Sequence, residues 1–247
     1  MKIIKRFIRK TERETLGYKI LQNLYYQAGK FLNILNYIFA WNRLNKEIKK
    51  FSAPKIQIGS GFRMLGKKSE HFIDNYINTD IFGYYAIDAR RNIRLPKNSL
   101  STIFSSHVIE HLHQIEINKF LENSFRVLAP GGSFIVATPD LEKICKKLYY
   151  ENNDSKQQML NIHSKNIFDR KATPARIINC ITHINYGHKF LLDFETFEDL
   201  ASTKGFEKIT PIVVDKLIDV DLKNYFHKKP DEYFVETSIW IAYKPIL

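Results

Sequence analysis

The feature that most constrains the fold is a short apolar run that ends at two glycines, in Lys55-Ile56-Gln57-Ile58-Gly59-Ser60-Gly61. The isoleucines are typical of a buried parallel strand, and the glycines after them predict a tight turn. Glycine permits a positive φ at such a turn, and its missing side chain leaves room for a ligand against the main chain. The stretch therefore predicts a strand whose closing turn faces a ligand.

The segments that follow alternate between strand, turn and helix patterns. A parallel, doubly wound α/β sheet is the arrangement that such an order predicts. Two of the segments end in acids, Asp80 and Asp88, and the first lies about twenty residues after the glycine turn, where a carboxylate can bind a ribose diol. In chain order, we predict strands at 76–80, 84–88, 100–105 and 133–138, helices at 115–128 and 194–201, and two last strands at 206–214 and 233–243 that form an antiparallel edge pair.

Four motifs in this part of the chain resemble one known family. They are Ile58-Gly59-Ser60-Gly61, Ile77-Asn78-Thr79-Asp80, Ser105-Ser106-His107-Val108-Ile109-Glu110-His111-Leu112 and Arg126-Val127-Leu128-Ala129-Pro130-Gly131-Gly132. Together they resemble class I S-adenosylmethionine-dependent methyltransferases, and more narrowly the bacterial methyltransferases associated with cell-surface glycan biosynthesis. The resemblance covers residues 54–142 and, less tightly, 187–206. It implies a doubly wound, mostly parallel seven-stranded sheet, S-adenosyl-L-methionine as cofactor, and methyl transfer as the activity.

The resemblance also implies which residues contact the cofactor. The glycine turn would face its methionyl part, Asp80 its ribose, and Asp88 its adenine amino group, while residues after the fourth strand lie at the carboxyl edge of the sheet, where ligands bind. The alternative interpretations, without a role in cofactor binding, are a turn-capping role for Asp80 and a solvated turn position for Asp88. The predicted cofactor-binding residues are Gly59, Ser60, Gly61, Asp80, Ile81, Asp88, Ala89, Ser106 and His107. At one position of the turn, where the family commonly has a small residue, this chain has Arg63.

Histidines are the predicted catalytic residues. An oxygen acceptor must lose a proton during methyl transfer, and histidine is the natural base near neutral pH. The candidates are His107, His111 and His188, each of which could instead be a hydrogen-bonded structural histidine. Residues 107–111 also spell His-x-x-Glu-His, an inverted zinc-protease motif. That motif needs a long helix and a distant third ligand, whereas here it directly follows a strand, so the sequence predicts no metal.

Positive charge is concentrated at the N-terminus. The chain has a formal net charge of +12, from 38 basic and 26 acidic residues. Residues 1–50 hold twelve Lys or Arg and three Glu, so they contribute 12 − 3 = +9, and the other 197 residues contribute about +3. We therefore divide the chain into a basic helical extension, residues 1–53, and a nearly neutral methyltransferase domain, residues 54–247, in which we expect an acceptor-site insert at 141–190.

The extension has two interpretations. Apolar residues recur at three- and four-residue steps from Leu16 to Phe39, which predicts amphipathic helix, and polar residues interrupt every window long enough to span a bilayer. Such a helix could lie on an anionic membrane surface or pack on the sheet domain. The first residues do not continue into the apolar core of a signal peptide, and the two cysteines give no disulfide framework. We expect a cytoplasmic protein, with peripheral attachment to the membrane as one option.

Three function classes remain from the sequence. The first is a methyltransferase that acts on a hydroxyl of a glycan, a glycolipid precursor or a related metabolite. The second is a nucleic-acid methyltransferase, which the nearly neutral domain and the ending Thr138-Pro139-Asp140, in place of an Asn/Asp-Pro-Pro-Tyr/Phe motif, disfavour. The third is a non-catalytic cofactor-binding module at a membrane or on a partner. The oligomeric state is open.

Overall fold

The computed structural model describes residues 39–61, 71–81, 84–151, 153–164, 172–184 and 187–246. The amphipathic helix predicted from Leu16 to Phe39, except Phe39 itself, and the position of Arg63 lie outside these residues. The strands are β1 Lys55–Ile58, β2 Ile77–Thr79, β3 Leu100–Ser106, β4 Leu128–Pro139, β5 Glu207–Pro211 and β6 Thr237–Tyr243. The helices are α1 at 39–48, α2 Gln114–Val127, α3 Leu141–Cys145, α4 Asn153–Ser164, α5 Pro174–Asn179, α6 Phe194–Ser202, α7 Val220–His227 and α8 Tyr233–Glu236.

The sheet has the order β2-β1-β3-β4-β6-β5. The first four strands pair in parallel, β6 runs antiparallel to β4, and β5 runs antiparallel to β6. The α/β class, the mostly parallel core and the antiparallel pair at one edge are therefore confirmed. The carboxyl ends of β1, β2, β3 and β4 meet at one edge of this sheet.

The strand number differs from the prediction, because the described residues form six strands and not seven. Residues 84–88 were expected to be a strand, but only one isolated bridge, Asp80 to Ala86, joins this segment to its neighbour. The segment turns after Asp88, whose side chain accepts a hydrogen bond from the backbone N–H of Arg90 at 3.0 Å. A local side-chain bond of this kind competes with pairing to a neighbouring strand.

Both faces of the sheet are covered, as a doubly wound sheet requires. On β4, Phe134 and Val136 belong to one hydrophobic cluster, while Ile135 and Ala137 belong to another. The first cluster contains apolar residues of α1, α2 and α6, and the second contains those of α7. Strand alternation thus sends side chains to two separate cores. Because Trp41, Leu44 and Ile48 of α1 lie in the first core, the described end of the extension packs on the sheet.

The insert forms a small hydrophobic cluster of its own. Ile144, Leu148, Met159, Ile177 and Ile181 are buried together, and Val235 of α8 completes the cluster. Short π-helical turns, Lys146–Tyr150 and Cys180–Ile184, follow α3 and α5.

Within the described part of the chain, no helix has both the length and the hydrophobicity that crossing a bilayer requires.

Candidate active site

The glycine turn after β1 closes against the loop after β3. Gly59 and Gly61 have φ values of 80° and 75°, which favour glycine over residues with a side chain. A Cβ added to Gly59 would lie only 2.2 Å from Cγ2 of Val108. Ser60, between the two glycines, is buried, and its backbone N–H donates to the carbonyl of Thr79 at 3.0 Å. Close packing, as well as backbone conformation, therefore requires glycine at position 59.

Asp80 lies beside this turn. Its Oδ2 accepts a hydrogen bond from the backbone N–H of Gly61 at 2.9 Å. The carboxylate is thus held at the carboxyl end of β2, next to the main chain of the glycine turn. Asp80 therefore supports the preceding glycine turn, whereas the alternative interpretation has it cap the next one, and Asp80 also lines a cavity at this edge.

Asp88 is buried and ion-paired. Its carboxylate contacts the guanidinium of Arg90 at 2.9 Å and that of Arg91 at 3.3 Å. Burial raises the pKa of this carboxyl, but hydrogen bonds and charge from Arg90 and Arg91 outweigh burial, so the pKa of Asp88 lies below its usual value. Asp88 is therefore a carboxylate at neutral pH. It is not the solvated turn residue of the alternative interpretation, because only 7% of its surface is exposed.

His107 follows β3 in a left-handed conformation, with φ 52°. Such a φ is uncommon for a residue other than glycine and costs free energy, which the surrounding contacts must offset. Its Nδ1 lies 3.1 Å from Oε1 of Glu110, and its Nε2 lies 3.3 Å from Oγ1 of Thr237. The rings of Tyr233 and His107 pack in a T-shaped arrangement, with centroids 5.2 Å apart, and the Tyr233 hydroxyl hydrogen-bonds to Ser106 at 2.8 Å. The contacts of His107 and Ser106 thus come from three segments of the chain.

Glu110 is the buried carboxylate of the site. It is fully buried, and Oε2 accepts a hydrogen bond from Oγ1 of Thr138 at 3.1 Å. Burial raises the pKa of Glu110, but the adjacent His107 and the charge of His111 outweigh burial, so the net pKa is below the usual value. The Glu110 carbonyl accepts a hydrogen bond from the backbone N–H of Lys189 at 2.8 Å. The loop that carries His188 is therefore fastened to the turn that carries Glu110.

His111 and His188 contact each other, with ring centroids 4.8 Å apart. Nδ1 of His111 lies 3.4 Å from the carbonyl of Gly187. Burial lowers the pKa of His188, and although Glu110 opposes this effect, the net pKa lies below its usual value. His188 is therefore neutral at physiological pH. The three histidines predicted from the sequence all lie next to Glu110.

One cavity of about 670 Å³ lies at this edge of the sheet. Its size is in the range that small-molecule and cofactor sites occupy. Ser60 and His188 are absent from its lining, although each lies beside a residue that does line it. The predicted residues on the cavity wall are Gly59, Gly61, Asp80, Ile81, Asp88, Ala89, Ser106, His107 and His111.

Sequence reasoning missed three groups at this site. From the sequence, Glu110 is only part of the His-x-x-Glu-His motif, Tyr233 is predicted to lie in a strand, and Lys229 has no predicted role. Lys229 and Tyr233 line the cavity, and the ammonium of Lys229 lies 4.3 Å from the ring centroid of Tyr225. A charged residue inside the apolar Val108-Ile109-Glu110 run was the available signal for Glu110. Nothing in the sequence marks Lys229 or Tyr233 as cavity residues.

Residues 63–136 match the family model described as "Methyltransferase domain". This chain carries a methyltransferase domain. Its cofactor is S-adenosylmethionine. No curated protein matches the chain. The family match agrees with the predicted enzyme class, and it leaves the acceptor open.

Solved structures of methyltransferases are similar to this chain at low identity. The CurJ carbon methyltransferase is 13% identical, with 80% of this chain and 51% of that chain covered and a TM-score of 0.45. Phosphoethanolamine N-methyltransferase 2 of Haemonchus contortus, in complex with S-adenosyl-L-methionine, is 14% identical, with 82% and 52% covered and a TM-score of 0.40. An S-adenosylmethionine-dependent methyltransferase of Archaeoglobus fulgidus is 16% identical, with 83% and 93% covered and a TM-score of 0.45. The chain spans about half the length of the first two.

Proposed function

We propose that this protein transfers the methyl group of S-adenosylmethionine to a hydroxyl of a small acceptor, in a glycan, a glycolipid precursor or a related metabolite. One observation carries the proposal: the glycine turn, the Asp80 carboxylate and the His107 imidazole line the same cavity. A donor site and a candidate base thus share one wall. The link to cell-surface glycans comes from the resemblance in the motifs.

The residues of the cavity fit the cofactor. The bare main chain at Gly59 and Gly61 lets the methionyl part approach closely, and the Asp80 carboxylate can accept hydrogen bonds from ribose hydroxyls. When bound, the cofactor supplies an already activated methyl group on a sulfonium. The protein then has to align donor and acceptor and keep water away. Ile58, Ile87 and Leu112 give the cavity apolar walls for this purpose.

His107 is the best-placed base for a hydroxyl acceptor. Glu110 contacts Nδ1, so it orients the ring and stabilises the imidazolium that forms when Nε2 takes a proton. Nε2 lies 3.3 Å from Oγ1 of Thr237, so an acceptor hydroxyl has to displace this contact to reach Nε2. His111 also lines the cavity, whereas His188 contacts it only through His111.

Calorimetric titration with S-adenosylmethionine tests the donor site. Asp80→Asn keeps an oxygen that can accept the bond from Gly61, but it removes the charge that faces the ribose. We expect affinity to fall by about 1–3 kcal/mol, or roughly 5- to 150-fold. Asp199→Asn, at an exposed position on α6, is the matched control and should leave affinity unchanged. Unchanged affinity in Asp80→Asn would refute the assignment, and no heat from the wild type would refute the donor site.

Product analysis tests the acceptor. The enzyme is incubated with S-adenosylmethionine carrying an isotopic label in the methyl group and with separate pools of glycans, glycolipid precursors and RNA. We expect the label in the first two pools, and His107→Gln should lower kcat more than it changes the affinity for cofactor. Label only in RNA would favour the nucleic-acid alternative. Cofactor binding without transfer to any pool would favour the binding module.

We also propose that the basic extension holds the enzyme at an anionic membrane surface. The supporting observation is the charge distribution, with +9 of the +12 in residues 1–50. Basic segments beside an apolar helical face are attracted to anionic lipid headgroups. A location on the cytoplasmic face of the membrane would place the enzyme near membrane-linked glycan precursors.

A further inference from the structure

We propose that Glu110, His111 and His188 bind a divalent transition-metal ion at the edge of the cofactor cavity. One ligand atom from each of these side chains lies within 4.8 Å of the others. Two imidazoles and one carboxylate are a ligand set that zinc, and also iron, accepts in sites that keep open positions for water or substrate. From the sequence no metal is predicted, because the His-x-x-Glu-His motif lacks a third ligand nearby and follows a strand directly.

The structure supplies that third ligand from another part of the chain. His188 lies 77 positions after His111 in the sequence, and its ring centroid is 4.8 Å from that of His111. Backbone bonds from Lys189 and Phe190 to the Glu110 carbonyl, at 2.8 and 3.3 Å, hold this loop in place. The ligand set therefore differs from the pair that the inverted motif suggests, because His107 contacts Glu110 and is not a member.

The residues around the cluster have the arrangement of outer-shell partners at a metal site. Thr138 donates to Oε2 of Glu110 and His107 contacts Oε1, so the carboxylate has a fixed orientation. Nδ1 of His111 lies 3.4 Å from the carbonyl of Gly187, and in the tautomer that donates this bond Nε2 carries the lone pair that an ion needs. Ligating histidines commonly donate their second ring nitrogen to a carbonyl or carboxylate in this way, and ligating carboxylates are themselves hydrogen-bonded.

The distances require a small contraction. Metal–ligand bonds of about 2.0–2.2 Å place tetrahedral ligand atoms roughly 3.5 Å apart. The ligand atoms here lie within 4.8 Å of one another, so an ion would draw them together by up to about 1.3 Å. The two histidines can move, because both are only partly buried, whereas Glu110 is fully buried and fixed. His111 lines the cofactor cavity, so an ion held there would have open positions toward the acceptor. A role for the ion at the acceptor rests on the proposed function, whereas the binding of the ion does not.

Cobalt(II) is the probe that tests this site, because its visible absorption reports both binding and coordination number. The full chain is stripped with a chelator and titrated with cobalt(II), and then with zinc(II) in competition. We expect one ion per chain with the strong absorption of a four- or five-coordinate site. Glu110→Gln and His188→Asn should each weaken binding more than the 10- to 100-fold that loss of an outer-shell partner costs. His227→Asn, in a surface pair with Asp215, should change nothing.

Thr138→Val removes the hydrogen bond from Thr138 to Glu110 without changing any of the three proposed metal ligands. It should weaken cobalt binding roughly 10- to 100-fold, with circular dichroism unchanged. The proposal is overturned if the folded wild type takes up no cobalt, or if Glu110→Gln and His188→Asn bind it as the wild type does. Titration with S-adenosylmethionine in chelator separates the two proposals. Cofactor binding without cobalt binding overturns only the metal site, and cobalt binding without cofactor binding overturns only the proposed function.

Discussion

At the scale of single residues, Gly59 shows how packing and conformation act on one position. Its φ of 80° strains any side chain, and a Cβ there would meet Val108 at 2.2 Å. We expect Gly59→Ala to lower the free energy of unfolding by roughly 1–3 kcal/mol through the clash, in addition to the backbone strain. Urea denaturation followed by circular dichroism measures this loss.

Gly187→Ala is the matched control for that substitution. Gly187 has a similar φ of 67°, but an added Cβ would meet nothing within 4 Å. Only the backbone strain, about 1–2 kcal/mol, should appear. Equal losses in the two variants would show that Val108 yields to the added methyl group and that the close approach is not essential. A larger loss at Gly59, together with weaker cofactor binding, is the expected pattern.

The residues of the site differed in how well the sequence predicted them. Asp80 and the two glycines could be predicted because local spacing after a strand fixes their place at the carboxyl edge. The contact of His188 with His111 could not, because only the folded loop brings positions 111 and 188 together. Glu110 was missed for a related reason: its partner Thr138 lies on β4, 28 positions later in the chain.

At the scale of elements, a regular pattern of apolar residues distinguishes the helices and strands that the sequence predicts correctly from those that it does not. β3, α2 and α6 lie within a residue or two of their predicted bounds, since each has a clear apolar pattern. Residues 233–236 are helical and not strand, because the turn begins at Pro230 and Asp231, whose carbonyls accept from Tyr233 and Phe234. α7 was missed, although Asp219 as its N-cap was a usable signal.

A cluster of charged side chains joins β1 to the start of α7, and it leads to a prediction about the stability of the fold. Nζ of Lys55 lies 3.0 Å from Asp219 and 2.8 Å from Asp221. All three side chains are less than a quarter exposed, so the pairs should contribute more than a surface pair and less than a fully buried one. We expect Lys55→Met to lower the free energy of unfolding by about 1–2 kcal/mol at neutral pH. Lys50→Met, in an exposed pair with Glu47, should have little effect.

The same cluster makes the free energy of unfolding depend on pH. Burial raises the pKa of Asp221, but hydrogen bonds from Lys55 and Asn75 outweigh it, so the folded pKa is lower than the unfolded one. A depressed carboxyl pKa contributes stability above the unfolded value, near 3.9, that is lost as pH falls through the folded value. Urea denaturation of wild type and Lys55→Met should therefore converge as the pH is lowered through this range. A difference that stays constant into strong acid would contradict the assignment to Asp221.

At the scale of the whole molecule, charge and chemistry lie in different parts of the chain. The domain is nearly neutral and carries the cavity, while the first ten residues include Lys2, Lys5, Arg6, Arg9 and Lys10. If these five residues contact an anionic bilayer, each contributes about 1 kcal/mol, and the attraction is screened within a Debye length of about 10 Å at 0.1 M salt. Binding should therefore be strong at low salt and weak at high salt.

Replacing these five residues with glutamine in the full chain tests the membrane proposal. Sedimentation with vesicles of phosphatidylserine and phosphatidylcholine should show at least a tenfold loss of binding, because several kcal/mol of attraction are removed. Affinity for S-adenosylmethionine should not change, since the cavity is built from residues 58–233. A matched variant carries five glutamines in place of Lys or Arg residues of the domain. It has the same net charge as the first variant, so a difference in vesicle binding between the two reports the position of the charges. Equal loss in both variants, or tighter binding to RNA than to the vesicles, would contradict a membrane role for the extension.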